Sequence, residues 1–369
     1  LLCIMQQEFS GVRIMAYTNI DDPSLHFSTT LYTGDGSADQ DITGVGFESD
    51  FLWIKRRNAS ERHVLVTPQM AIESGAYVWE DISDAHAKFS GGTGVESFDA
   101  DGFTIKTSDA TWNASGSTYV AWNWKGSDSS PASNSQGGAR YVTVSANTDA
   151  GFSTVRLLGG LDGEANTAFG HGLGVAPELV IMKRSSATIG WYLFHKDIGE
   201  DKYLAPEAPA AVASSSTTFS TLPTSTLFTG GLNVVNATDW FSCWCFASKQ
   251  GYSKIGSYIA NANADGRFIY TGFKPAWLLR KAVDRAEPWM VIDNKRNPIN
   301  GAATVLDPSL PAGEVTTPGD YLVDFLSNGF KIRSGTTSYG NHTVGNKYIY
   351  MAFAENPFVT STGIPTTAR

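Results

Sequence analysis

The chain has 369 residues and a formal net charge of −9, with charged side chains at 17% where an average soluble protein has roughly 25%. An acidic chain without a basic run has no electrostatic case for nucleic acid, and no apolar stretch reaches the roughly 18 residues of a membrane span. Aromatics at 12% and 37 glycines, among many serines and threonines, suit strands and tight turns rather than helices.

Residues 1–14 differ in character from the rest of the chain, and Met15-Ala16-Tyr17 would make a natural start. Two readings stand: a translated leader upstream of the initiator, or an ordered N-terminal arm. The intact mass of the natural protein separates them.

From Phe27 one pattern occurs three times. Phe27-Ser28, Phe152-Ser153 and Tyr252-Ser253 each open a strand that runs into a Gly/Asp/Asn turn, at 33–37, 159–163 and 261–266. Next comes an apolar stretch that ends on lysine, at 47–55, 175–183 and 273–281. A short run of Trp, Val, Ile and Leu after a turn signal predicts a strand buried on both faces. Eight residues past each lysine stands His63, Trp191 or Trp289, and each begins a second apolar run. A gap of eight kept three times predicts a hairpin whose loop length is fixed by strand register.

After a variable region a turn and strand appear at 99–105 and 326–332, of which the middle copy keeps only Leu227-Phe228. Each copy closes on an asparagine (Asn113, Asn236, Asn341) and an aromatic strand, at 119–124, 241–246 and 348–353. Alternation with period two places Trp122, Trp244 and Met351 on one face with Trp124, Phe246 and Phe353, and that face is expected to be the core side. Cys243 and Cys245 then fall on the opposite face.

The copies start 125 and 100 residues apart. About a hundred residues with several short strands make one β-sandwich, not a solenoid rung. The expectation is an all-β chain of three tandem β-sandwich repeat units, at 27–126, 152–250 and 251–354. An N-terminal arm covers 1–26, a linker and lead-in strand covers 127–151, and an extended C-terminal tail covers 355–369.

The chain has 3 cysteines, with no CxxC pair and no His cluster, so neither zinc nor a disulfide framework is expected. Cys243 and Cys245 read as small buried hydrophobes, which fits assembly in a reducing cytoplasm. No metal or cofactor is expected. Lys55, Lys183 and Lys281 would form a polyanion-binding row, or else a scaffold feature such as a strand-end charge or a guard on a sheet edge. Binding commonly sits on loops borne by a rigid scaffold, and the variable loops offer Tyr77, Trp79, Trp112, Tyr339 and His342 as ligand-binding candidates that would stack on sugar rings. Against this stands burial of Trp79 and Trp112 in their own sandwich.

Catalysis has little support. Glycosidases need a pair of carboxylates, and Glu80/Asp81 and Asp99/Asp101 have no counterparts in the other copies. The 99–102 turn resembles the opening of a calcium loop but lacks the downstream glutamate of an EF-hand. His63, His171 and His195 have no recognisable nucleophile, and no glycine cluster precedes Lys-Ser/Thr as a phosphate loop requires. The chain is expected not to be an enzyme.

Four groups of residues carry a resemblance: Asn19-Ile20-Asp21-Asp22-Pro23-Ser24, Tyr32-Thr33-Gly34, Trp53-Ile54-Lys55 and the 350–358 ending. In their combination, residues 15–369 resemble the repeat-bearing tail-fibre or virion structural proteins of tailed bacteriophages, especially phages of aquatic bacteria. The resemblance implies a non-enzymatic virion protein with concanavalin-like or jelly-roll-like sandwich modules. It would be assembled in the host cytoplasm and carried on the tail fibre or particle surface. By analogy it implies a homotrimer that touches other virion proteins and binds a bacterial surface glycan or receptor. High aromatic content with few charges leaves apolar surface to bury between such subunits. The resemblance carries over no catalytic or binding residue. Two other roles stay open: a capsid-decorating or tail-attached spacer without a ligand, and a surface-polysaccharide depolymerase.

Overall fold

A computed structural model describes residues 16–73, 76–84, 92–159, 166–185, 188–231, 239–316, 321–335 and 339–366. Within them the chain is all-β apart from one 3-10 turn at Pro23–Leu25. No helix among the described residues is long and apolar enough to cross a membrane. The two readings of residues 1–14 fall outside the described residues, as do Asn236 and much of the turn expected at 159–163.

Three large antiparallel sheets carry the fold. The first orders its strands Phe27–Thr33, Thr118–Trp124, Phe51–Arg56, His63–Val66 and Glu80–Asp81. The second orders Ala132–Asn134, Arg140–Asn147, Phe152–Leu158, Trp240–Phe246, Leu179–Arg184 and Tyr192–His195. The third orders Ser253–Ile259, Lys347–Pro357, Phe273–Ala282 and Met290–Asp293. One order recurs in all three: opening strand, closing aromatic strand, central strand, hairpin partner. The hairpins form in the expected register, with Lys55 opposite His63, Ile181 opposite Leu193 and Leu279 opposite Val291.

The central strands are buried on both faces because each large sheet has a layer on either side. On the outer faces lie small sheets. Strands Gln40–Thr43, Gly102–Ile105 and Val95–Asp99 cover the first, Asn166–Gly170 and Leu227–Gly231 the second, and Phe268–Tyr270, Gly329–Ile332 and Val323–Leu326 the third. Cys243 and Cys245 sit in the outer core of the second sheet with Val180, Met182 and Phe228. Burial there pushes both thiols up, Cys245 to about 12, so they stay protonated and behave as apolar side chains.

The inner faces meet one another. Trp124, Phe246 and Phe353, which hold the same place in the three closing strands, touch in a triangle with ring centroids 6.2, 6.1 and 5.7 Å apart. Trp53, Trp122 and Trp277 pack beside them edge to face, the arrangement that aromatic quadrupoles favour. Trp244 adds a contact at 5.2 Å to Phe51. The face predicted to be core is therefore core, but the three sheets share it. Neighbouring residues in a strand point to opposite sides, so both the shared centre and the outer layers draw on every strand.

Loops seal the seams in a cycle. From the second sheet, Trp191 Nε1 donates to the carbonyls of Asp81 and Asp84 in the first, both at 3.0 Å. From the third, Trp289 Nε1 donates to Ala205 and Ala208 in the second at 3.1 and 3.2 Å. From the first, Lys55 Nζ donates to the Pro311 carbonyl of the third at 2.9 Å, and Arg57 pairs with Glu314 at 2.6 Å. The same seam holds a buried network in which Asp293 Oδ2 accepts from Trp122 Nε1 at 3.1 Å and from Arg296 Nε at 2.6 Å.

Two segments outside the three expected units carry strand. The 127–138 stretch has linker composition, yet Ala132–Asn134 pairs there with Arg140–Asn147, and both join the edge of the second sheet. Burial of Val142 and Val144 against its outer core fixes them there. The C-terminal tail begins as strand, since Lys347–Pro357 runs through Asn356 opposite Lys274. Beyond it Ser361 N donates to Asp21 at 2.6 Å. Tyr17 OH donates to Gly272 O at 2.7 Å, so both described chain ends lie by the third sheet, at its end opposite the hairpin loop.

Candidate functional site

The three lysines do not form a row open to solvent. All three are buried with no exposed surface, and their ammonium groups donate to carbonyls of the hairpin loops. Lys55 Nζ reaches Glu61 O at 2.8 Å, Lys183 reaches Ile189 O, and Lys281 reaches Arg285 O at 3.4 Å as well as Ala282 O at the strand end at 2.9 Å. The lysine after each central strand thus ties down a loop that would otherwise leave carbonyls unpaired. Lys183 and Lys281 also lie 5.8 and 6.0 Å from the ring centres of Trp191 and Trp289, within cation–π range. Loss of hydration holds Lys55 and Lys281 down to about 8 and lowers Lys183 as well. The polyanion reading is corrected: these groups face the protein, and the scaffold alternative describes them.

The closing asparagines have a similar job. Asn113 Oδ1 accepts from Asp35 N at 2.9 Å while its Nδ2 donates to Asp35 Oδ1 and Ser37 O. Asn341 repeats this on Asn261 N at 2.9 Å, with Nδ2 donating to Asn261 Oδ1 and Asn263 O. Each pins the turn next to its unit's opening strand.

Of the five ligand-binding candidates, three gather in the first unit. Trp79 and Trp112 meet edge to face at 5.3 Å, with exposures of only 4% and 0%. Neither offers a ring face to a ligand, and for these two the candidate role is corrected to packing. Gly94, at φ +140, keeps this corner open, since a Cβ there would stand 3.2 Å from Trp112 and 3.4 Å from Trp79. Tyr77 is half-buried against Phe98 at 5.2 Å. The other two lie in the third unit. Tyr339 stacks on Tyr321 at 5.4 Å, and His342 Nδ1 lies 2.8 Å from Thr343 Oγ1. Tyr77, Tyr339 and His342 keep partial exposure.

The carboxylates considered for catalysis are also spoken for. Glu80 lies in the seam between the first and second sheets, 3.8 Å from Arg156 and accepting from Ser185 and Ser242. Burial raises its carboxyl above the usual range. Asp101 accepts from Gly44 N and Gly46 N at 3.2 and 2.6 Å, as the tight-turn reading requires. No group of three or more His, Cys, Asp or Glu among the described residues could hold a metal. His63 accepts the Trp53 indole N–H on Nδ1 at 3.1 Å, and burial keeps it neutral. Burial likewise lowers His195 to about 4.

One concavity was missed. A groove of about 1040 Å³ lies beside the third sheet, lined by the 294–300 loop, Phe325, the 326–328 turn, Lys274, the 355–356 end of the closing strand and Thr366. It lies at the end of the sheet where Phe273–Ala282 starts farther back than its counterparts and shifts register against the closing strand, between Lys274 and Pro275 and between Pro275 and Trp277. Such bulges bend a strand and re-aim its side chains. A sequence signal was present: Asn294, Asn297 and Asn300 recur every third residue, with proline already marking an irregular strand start.

Three large sheets closed on a shared aromatic core, each with an outer cover, define an all-β protein. The chain belongs to a family described as a domain of unknown function, DUF7483, which matches residues 22–357. No curated protein matches it.

Proposed function

We propose that this protein is a non-enzymatic structural component of a tailed-phage particle, and that it acts as a tail-fibre or host-contact protein binding a bacterial surface glycan or receptor. The observation that supports this reading most is the closed cycle of seams. Aromatic residues of all three sheets interlock, so the body is stiff, and its loops are held by buried lysines and asparagines. A stiff body with its described ends together suits a part mounted on a larger assembly, and the sequence resemblance points the same way. The homotrimer rests on the resemblance alone, because the aromatic faces that composition offered to a subunit interface are covered within one chain.

The test is location and binding together. Gold-labelled antibody on purified particles is expected to mark the tail tip, and purified protein is expected to bind host cells. Absence from purified particles would overturn the reading. One observation favours a second role, the spacer without a ligand: Trp79 and Trp112 are unavailable to a ligand. Labelling of the head surface with no cell binding would establish that role instead. Release of reducing ends from host polysaccharide would establish a depolymerase.

A further inference from the structure

We propose that the groove beside the third sheet is an oligosaccharide-binding site; this rests on the host-contact reading and names where the ligand sits. Its volume, about 1040 Å³, lies just above the roughly 300–1,000 Å³ span of small-molecule sites. Its chemistry is that of neutral amides. Asn294 Oδ1 is buried without a hydrogen-bond partner. The half-buried amides of Asn328 and Asn356 make no side-chain hydrogen bond among the described residues. Of these groups Asn294 Oδ1 has lost water without finding a protein partner, which is costly, while the amides of Asn328 and Asn356 stay open to solvent, where a ligand rich in hydroxyls would meet them. An amide offers both donor and acceptor, as does a sugar hydroxyl. Lys274 and Glu355 cancel one another at 2.7 Å, which leaves Lys295 as the unbalanced charge at the mouth. Ile299, 80% exposed, supplies an apolar patch for the carbon face of a ring.

The groove is also held in shape before any ligand arrives. Asn297 clamps Thr304 in both directions at 3.1 Å, Asn300 Oδ1 accepts from Phe325 N at 3.0 Å, and Gly301 N donates to Asp324 at 2.9 Å. Asparagines 297 and 300 therefore build the wall with Asn294 behind it, while the amides of Asn328 and Asn356 are open to the groove. Preorganisation of this kind raises affinity by lowering the entropy lost on binding.

The full chain is placed on a glycan array carrying neutral and uronic-acid oligosaccharides together with purified host polysaccharide. The expected result is binding that weakens at least about tenfold in the Asn328→Ala/Asn356→Ala double variant, as two lost hydrogen bonds imply, with melting unchanged. Binding should survive in Tyr77→Ala/His342→Ala. If binding survives the groove variant and fails in the second, the groove inference is wrong while host contact stands. If no saccharide binds, the groove inference and the glycan part of the host-contact reading both fall. Selective capture of uronic acids that is lost in Lys295→Ala would assign the ligand as an acidic glycan in the same groove.

Discussion

Phe246→Ala tests whether the three sheets form one folding unit. Phe246 is 2% exposed and lies 6.2 Å from Trp124, 6.1 Å from Phe353 and 5.0 Å from Phe152, so its ring contacts members of all three sheets. Removing such a ring costs about 3–5 kcal/mol. The upper half is expected here, because rings held on three sides by three sheets cannot collapse into the gap. Against the roughly 5–15 kcal/mol that stabilises a typical domain, this is a large share. At about 2–4 °C per kcal/mol the midpoint should fall by roughly 10 °C. Calorimetry should show one transition in the wild type and one shifted transition in the variant, with near-ultraviolet circular dichroism tracing the same curve. Were the sheets independent sandwiches, only part of the unfolding heat would move and the remainder would stay at its original temperature. That split would refute a shared core.

The geometry sets further outcomes, and the sequence resemblance adds a last one. Asp293→Ala strands the Trp122 indole and takes one of two carboxylates from buried Arg296, which keeps Glu314 at 3.3 Å; it should cost about 3 kcal/mol, and a denaturant-melt loss below about 1 kcal/mol would dismiss the seam network. The double change Asp293→Leu/Arg296→Met should recover more than half of that loss, because apolar replacement avoids a buried unpaired charge. Asp50 is held up to about 6 chiefly by burial, although Ser145 and Gly126 donate to it. Its folded form keeps a proton that the unfolded chain has lost, so its favourable contribution is full below about pH 4 and is gone above about pH 6. Asp50→Asn should gain on the wild type by up to roughly 3 kcal/mol across that window, and parallel stability curves would rule this out. Lys281 shifts the other way: its folded value near 8 makes the wild type gain on Lys281→Met as pH rises from about 8 to 10.5, again by up to roughly 3 kcal/mol. A flat difference across that range would show the ammonium to be well solvated. Light scattering checks the trimer, for which the expected mass is three times the 39.7 kDa chain; a single-chain mass would remove it.

Much of the fold was legible because strand register leaves a trace in sequence. The lysine with His63, Trp191 or Trp289 eight residues later marked the hairpins, and period-two alternation put Trp122, Trp244 and Met351 on the correct face. What alternation cannot express is what a buried face meets. Trp124 reads the same whether its partner is a cover sheet or the inner face of two other sheets, so the triangle with Phe246 and Phe353 stayed hidden. The seams had a weak trace: Asp81-Ile82-Ser83 and Asp307-Pro308-Ser309 both fold into turns in which the serine N–H donates to the aspartate at 2.9 Å. The middle copy has no such pair, which masked the correspondence. The site was read from aromatic content, and that signal pointed inward. Large rings are the best core formers, so Trp79 and Trp112 went where transfer energy sends them. The groove depends on amides and a register break, whose effect is three-dimensional.

The triangle at the centre gives a lone polypeptide the outline of a trimer. Separate subunits of a true trimer share one gene, so any change appears in three places at once. Here every lobe can diverge by itself. The first has gained a fifth strand, the second two edge strands, and the third a lengthened, bulged strand and the cleft beside it. Such a molecule can show a different face in each direction.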